Sequence, residues 1–307
     1  MLRFVPMLIA STEAYKYLQD EVLALMPSAS AAQIERNHFP DGEIYHRFGT
    51  NITNQHIVII GGTIDDANTL ELYDLAVGAS QNGAAEISLV MPYFGYSTME
   101  RMVYGGEVVK AQSRALLFSA IPSVRNAIEV FLFDLHSEGI PYYFDRHIRT
   151  HHVYCKPVIL EAARQFGGTD FVLASTDAGR AKWVESLALE LGVPSAFAYK
   201  QRVNGEETKL SGINADVHGK HVIIYDDMIR TGGSLISCAQ AYKQHGAASI
   251  DVITTHGLFS NNAIERIKAS GLIERVACTN SHPNAIKADV KCFSVAELIV
   301  SSLSKYS

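Results

Sequence analysis

Residues 222–234 read Val-Ile-Ile-Tyr-Asp-Asp-Met-Ile-Arg-Thr-Gly-Gly-Ser. The four apolar residues predict a buried strand over 222–225, with two adjacent acids where that strand is expected to end. Thr231 to Ser234 then form a loop leading into a helix that begins near Leu235. Backbone N–H groups at such a loop and helix start can hold a phosphate. Paired carboxylates beside that cradle accept hydrogen bonds from sugar hydroxyls or hold a metal. The combination suits a ribose 5-phosphate group. Asp226 and Asp227 would take the 2- and 3-hydroxyls, directly or through Mg2+, with Thr231, Gly232, Gly233 and Ser234 around the 5-phosphate. The plainer reading is a strand-to-helix turn whose acids cap the helix, but Asp-Asp followed by Thr-Gly-Gly-Ser is unusual for one.

Further apolar runs stand at 57–60, 86–91, 129–134, 171–175, 195–199 and 250–254. They alternate with amphipathic stretches at 69–81, 110–120, 156–165, 180–191, 234–245 and 261–270. Such alternation predicts an α/β fold of parallel sheets covered by helices. The chain also repeats itself. Residues 54–70 (NQHIVIIGGTIDDANTL) line up with 219–235 (GKHVIIYDDMIRTGGSL) at an offset of 165, His56 answering His221. A single long repeat predicts two copies of one domain rather than a solenoid, whose units run roughly 20–50 residues. In the first copy Gly61 and Gly62 stand where the second has Asp226 and Asp227, which assigns the phosphosugar site to the second. The expected domains are 1–150 and 151–290, with a C-terminal helix over 291–307 packing on the first.

Length and composition agree with two globular domains: 307 residues, 48% hydrophobic and 19% charged. A net charge of −6 without a long basic run argues against nucleic acid and acidic membranes, so an anionic substrate must meet local positive charge. Cys155, Cys238, Cys278 and Cys292 are scattered, without CxxC or zinc spacing, and read as reduced thiols. The opening MLRFVPMLIAS has too short an apolar stretch for a secretion signal, and no other segment approaches a membrane span, so a cytoplasmic location is expected. Walker, dinucleotide, zincin and nucleophile-elbow motifs are missing from the sequence.

The segment 226–234 resembles the PRPP-binding loop of the phosphoribosyltransferase superfamily. Four more stretches narrow the resemblance to ribose-phosphate pyrophosphokinases (PRPP synthetases): Phe-Pro-Asp-Gly-Glu at 39–43, Pro-Tyr-Phe-Gly-Tyr at 92–96, Asp-Leu-His-Ser-Glu at 134–138 and Ser-Thr-Asp-Ala-Gly at 175–179. They come in order, and the resemblance as a whole spans about residues 35–300. The resemblance implies two tandem phosphoribosyltransferase-like domains and Mg2+-dependent transfer of pyrophosphate from ATP to ribose 5-phosphate, giving PRPP and AMP. It implies His136 and Asp177 at metal and nucleotide, and Lys200 with Arg202 on a mobile flap that stabilises the transferring group. Charge neutralisation of this kind is what phosphoryl transfer needs. On spacing alone, His136 reads as a structural strand-end histidine, and the polar segment 199–212 as a solvated loop.

Turn chemistry alone explains Phe39, Asp41 and Glu43 in a hairpin turn. The resemblance adds contact with the ATP of a neighbouring subunit, and hence a homo-oligomer, dimer-based or hexameric. Two departures stand out. Thr98 and Met99 replace an Arg and a Gln expected to contact ATP, which leaves Arg101 or Lys110 to compensate. Arg230 stands where an acid or small residue is usual, placing a fixed cation beside the sugar. Two rivals remain: a phosphoribosyltransferase that consumes PRPP, which would need neither the repeat nor the 39–43 motif, and a catalytically silent homologue that regulates a partner.

Overall fold

The structure, a computed structural model, describes residues 7–145, 147–176, 178–203 and 207–306, with backbone alone at 178, 199–203, 207–212 and 306. It divides into two compact units, one holding Met1–Tyr154 with Val295–Ser307 and the other Cys155–Ser294.

In the first unit, strands β1 (Met7–Ser11), β2 (Ser30–Ala31), β5 (His56–Ile60), β6 (Glu86–Met91), β7 (Ile128–Phe133) and β8 (Ile148–Val153) form one sheet. Its order is β2-β1-β5-β6-β7-β8 and every pairing is parallel. Strands β3 (Ile34–His38) and β4 (Ile44–Phe48) make a separate antiparallel hairpin. Helices α1 (Lys16–Leu25), α2 (Asp66–Gln81) and α3 (Lys110–Ser119) connect the strands. The central strand β5 is buried along its whole length, which is why it reads as an unbroken apolar run. Ile57, Ile59, Leu89, Val130 and Leu132 pack with Leu72, Leu75 and Phe118 in one core.

The second unit repeats the plan. Helix α4 (Lys156–Gly167) leads into β9 (Val172–Ser175), α5 (Ala181–Leu191) and β10 (Ser195–Val203). Then follow β11 (Glu207–Ile213), β12 (His221–Ile229), α6 (Gly233–Gln244), β13 (Ser249–Gly257), α7 (Ala263–Ala269), β14 (Arg275–Thr279), α8 (Asn284–Lys287) and β15 (Lys291–Phe293). The sheet order is β11-β10-β9-β12-β13-β14-β15, and only the β10–β11 pairing is antiparallel. The last helix, α9 (Ala296–Tyr306), belongs to the first unit, where it packs against α1. No disulfide joins the cysteines among the described residues.

The repeat extends further than the sequence comparison suggested. In the first sheet Leu8 lies opposite Ile57, and in the second Val172 lies opposite Val222. The first strands therefore correspond at an offset of 164, Val172 answering Leu8, one residue less than the 165 linking β5 to β12. At that register Ile-Ala-Ser-Thr-Glu-Ala-Tyr-Lys (9–16) lies on Leu-Ala-Ser-Thr-Asp-Ala-Gly-Arg (173–180).

Two expectations change. Strand β12 continues to Ile229, because its ladder with β13 runs on to the pair Ile229 and Gly257. Asp226 and Asp227 therefore lie within the strand, and the helix starts at Gly233 rather than near Leu235. The polar stretch after 199 is not an irregular loop where it is described. Its backbone forms the β10–β11 hairpin, which pairs Lys200 with Leu210 and Arg202 with Thr208. An edge hairpin depends on backbone pairing and needs no two-sided apolar pattern.

Candidate active site

In each sheet the strand order reverses beside the first strand of its unit, and ligands of open α/β sheets bind in the crevice at the carboxyl ends of the strands there. In the second unit that crevice lies between β9 and β12, where Ser175 is opposite Tyr225. Asp226 is half-buried and Asp227 buried. Successive strand residues point to opposite sides, so the two carboxylates meet different neighbours. Thr176 Oγ donates to Asp226 Oδ2 at 3.2 Å, and the Asp227 N–H donates to Asp226 Oδ1 at 3.0 Å. Asp227 is instead paired with the guanidinium of Arg180, its side chain only 6% exposed. Asp226 is thus the more accessible acid, while Asp227 is held against the Arg180 guanidinium.

Beyond the acids the chain turns to start α6. Gly232 has φ +75°, a left-handed conformation that glycine takes without strain, and an added Cβ would meet Ile267 at 3.1–3.2 Å. The N-cap carries no side-chain hydrogen bond, so the first-turn N–H groups are not claimed by a cap. Thr231 and Ser234 are exposed, and Gly233 is half-buried. Arg266 of α7 donates to the Thr231 carbonyl at 3.1 Å, bringing a second cation to the loop beside the exposed Arg230. The result is a half-buried carboxylate followed by an uncapped helix start and flanking guanidinium groups. It can take a hydroxyl on one side and an anion on the other.

The first unit places the other candidates. Phe39, Asp41 and Glu43 occupy the β3–β4 turn and are all exposed. The Phe39 N–H donates to the Glu43 carbonyl at 2.8 Å, and Asp41 Oδ1 accepts from the Glu43 N–H at 3.1 Å. His136 is exposed just past the carboxyl end of β7, two residues beyond the buried Asp134. Arg101 is 78% exposed and lies 3.6 Å from Glu100. Asp177 lies outside the described residues, and so do the side chains of Lys200 and Arg202.

Arg180 and Arg266 escaped sequence reasoning. Arg180 follows the 175–179 motif directly, and the 164-residue register would have flagged it. Arg266, on a separate helix, left no local signal.

Comparison with known proteins follows the same division. Residues 7–121 match a family model described as the N-terminal domain of ribose phosphate pyrophosphokinase, and residues 195–305 match one described as the phosphoribosyl synthetase-associated domain. The chain is 33% identical over 251 residues to a ribose-phosphate pyrophosphokinase of Synechococcus elongatus, covering 81% of this chain and 74% of that one. It is 30% identical over 273 residues to that of Methanopyrus kandleri, covering 88% and 91%. The fold is similar to the crystal structure of phosphoribosylpyrophosphate synthetase from Mycobacterium smegmatis, with TM-score 0.85, 23% identity and 98% of each chain covered. On fold and sequence together, the chain belongs to the ribose-phosphate pyrophosphokinase family.

Proposed function

We propose that the chain transfers the pyrophosphoryl group of ATP to the 1-hydroxyl of ribose 5-phosphate, giving PRPP and AMP for nucleotide biosynthesis. The observation that carries the reading is the β12–α6 segment. It combines a half-buried carboxylate with an uncapped helix start in a chain related along most of its length to enzymes named for this reaction. In this reading Asp226 accepts from a ribose hydroxyl, while Asp227, fixed by Arg180, holds the strand end in place. The loop from Thr231 to Ser234 binds the 5-phosphate, with Arg230 beside it. Phe39, Asp41, Glu43 and Arg101 are assigned to ATP, the first three in a neighbouring subunit of a homo-oligomer. Lys200 and Arg202 stabilise charge on the β-phosphoryl group. In-line attack on that phosphorus requires no covalent enzyme intermediate.

Among the described residues no three His, Cys, Asp or Glu side chains gather as a metal cage. Mg2+ rarely uses such a cage, taking one or two carboxylates together with substrate phosphates and water. The half-buried Asp226 supplies carboxylate oxygens of the kind Mg2+ takes, so its chemistry fits an ion that arrives with ATP. His136 and Asp177 are the residues proposed to hold it, and it would neutralise phosphate charge. No helix among the described residues is long and apolar enough to cross a membrane. We place the reaction in the cytoplasm.

The test is to incubate the purified protein with ATP, Mg2+ and ribose 5-phosphate and to quantify AMP and PRPP. Equal amounts of both products support the reading. Binding of ribose 5-phosphate without turnover would leave the silent homologue, consistent with the uncharged Thr98 and Met99. Loss of PRPP only when a base is supplied would indicate a phosphoribosyltransferase.

A further inference from the structure

In the first unit, the loop after β6 and the starts of α2 and α3 meet around Tyr96. This residue has φ +61°, a left-handed conformation rare for a bulky side chain and maintained only where the surroundings impose it. The surroundings here are specific. The Gly95 N–H donates to Thr63 Oγ at 2.6 Å, and a Cβ on Gly95 would run into the Thr63 carbonyl. The Tyr96 hydroxyl donates to Asp66 Oδ1 at 2.6 Å. Lys110 Nζ lies 4.9 Å, and the Arg114 guanidinium carbon 4.6 Å, from the centre of the Tyr96 ring. Arg114 Nη2 also reaches Asp66 Oδ1 at 2.5 Å.

The charges in this cluster do not balance. Lys110 and Arg114 stand one helical turn apart, a spacing at which like charges repel, and the single carboxylate of Asp66 serves both. The Tyr96 hydroxyl, and after it Arg114, hold that carboxyl below its usual range, so it stays ionised. One positive charge is left over at the carboxyl edge of a parallel sheet, in a chain whose net charge is −6. Arg114 Nε is buried with no hydrogen-bond partner among the described residues. Elsewhere on this loop Thr98 and Met99 carry no charge, and Arg101 is turned to solvent beside Glu100.

We propose that Lys110 and Arg114, braced on Tyr96, seat a phosphate group in the first unit. Naming ATP as the carrier of that phosphate rests on the PRPP-forming reading. The competing role is a brace that only fixes the loop.

Calorimetric titration of the full chain with ATP–Mg2+, and separately with inorganic phosphate, tests this without ribose 5-phosphate present. Lys110→Met keeps the packing on the ring and removes the charge. It should weaken ATP binding about tenfold or more, the loss expected for one charge-assisted contact. The melting temperature and the KM for ribose 5-phosphate should not move. A parallel loss of phosphate affinity would show that the seat accepts phosphate from either source, whereas a loss for ATP alone assigns it to the nucleotide. Unchanged ATP and phosphate affinity in Lys110→Met, or no binding of either by the unmodified chain, would overturn the proposal. Arg114→Lys keeps the charge but loses the Nη2 contact to Asp66. If it melts earlier, Lys110→Met still decides. Absence of PRPP turnover would sink the assigned reaction and leave the binding comparison readable.

Discussion

The two copies of the fold treat the same crevice in opposite ways. Within β12 the second unit has Asp226 and Asp227, where the first, just past β5, has Gly61 and Gly62. Across the crevice, Gly179 and Arg180 correspond to Tyr15 and Lys16. Arg180 reaches Asp227, whereas Lys16 turns to Asp20 at 2.5 Å on the surface. The Tyr15 ring is fully buried and fills the space Gly62 leaves, so closely that a Cβ there would overlap it. Burial raises its hydroxyl well above the usual tyrosine range. The threonines complete the contrast. Thr176 donates to Asp226, while Thr12 Oγ is buried without a hydrogen-bond partner, its counterpart carboxylate replaced by Gly61. The helix starts differ as well. Asp65 caps α2 by accepting from the Asn68 N–H at 2.8 Å, occupying with its own carboxylate the place an anion would take, while α6 has no such cap. One crevice is plugged with an aromatic ring and the other kept polar, without a change of fold.

The sharpest break of this comparison is Arg180→Ala, which takes the guanidinium away from the buried Asp227 carboxylate. It should destabilise the protein by about 3–5 kcal/mol, read by denaturant unfolding, whereas Lys16→Ala at the exposed counterpart should cost less than about 1 kcal/mol. Next comes Asp226→Ala. It should lower kcat/KM for ribose 5-phosphate roughly 10–100-fold, the value of a hydrogen bond to a charged group, with the melting temperature nearly unchanged. An equal loss for ATP would place Asp226 elsewhere in the reaction. Gly62→Ala forces a methyl into the Tyr15 ring and should destabilise by about 1–3 kcal/mol. Relief of that loss in the double variant with Tyr15→Gly would identify the ring as the plug. The smallest effect belongs to Thr12→Val. Removing a buried hydroxyl that lacks a partner should be neutral or stabilising by about 1 kcal/mol, whereas Thr176→Val removes a real contact and should weaken ribose 5-phosphate binding.

Much of this was legible in the chain before any coordinates. Strands buried on both faces, such as 57–60 and 222–225, announce themselves as apolar runs, and the acid pair after the second run marks the phosphosugar crevice. What stayed hidden had physical reasons. Hairpin β3–β4 shows in the sequence only through its turn at 39–43, and the β10–β11 pairing beyond 199 does not show, because both are held by backbone pairing in polar sequence such as Ile-Glu-Arg-Asn-His that periodicity does not report. Strand β1 lies in the opening MLRFVPMLIAS, whose short apolar stretch carries no alternation to mark it as a strand. The Arg180–Asp227 pair was missed because the repeat slips by one residue between its first and second strands, and a fixed offset of 165 sets Tyr15 instead of Lys16 against Arg180.

The placement of α9 has a consequence for how the chain is made. Helix α9 completes the first unit against α1, yet it is encoded after the whole of the second. During synthesis the second unit, continuous from Cys155 to Ser294, is delivered whole, while the first waits with the α9-facing side of α1 uncovered. The unit that begins first finishes last, and until α9 emerges it presents an apolar surface for chaperones to guard.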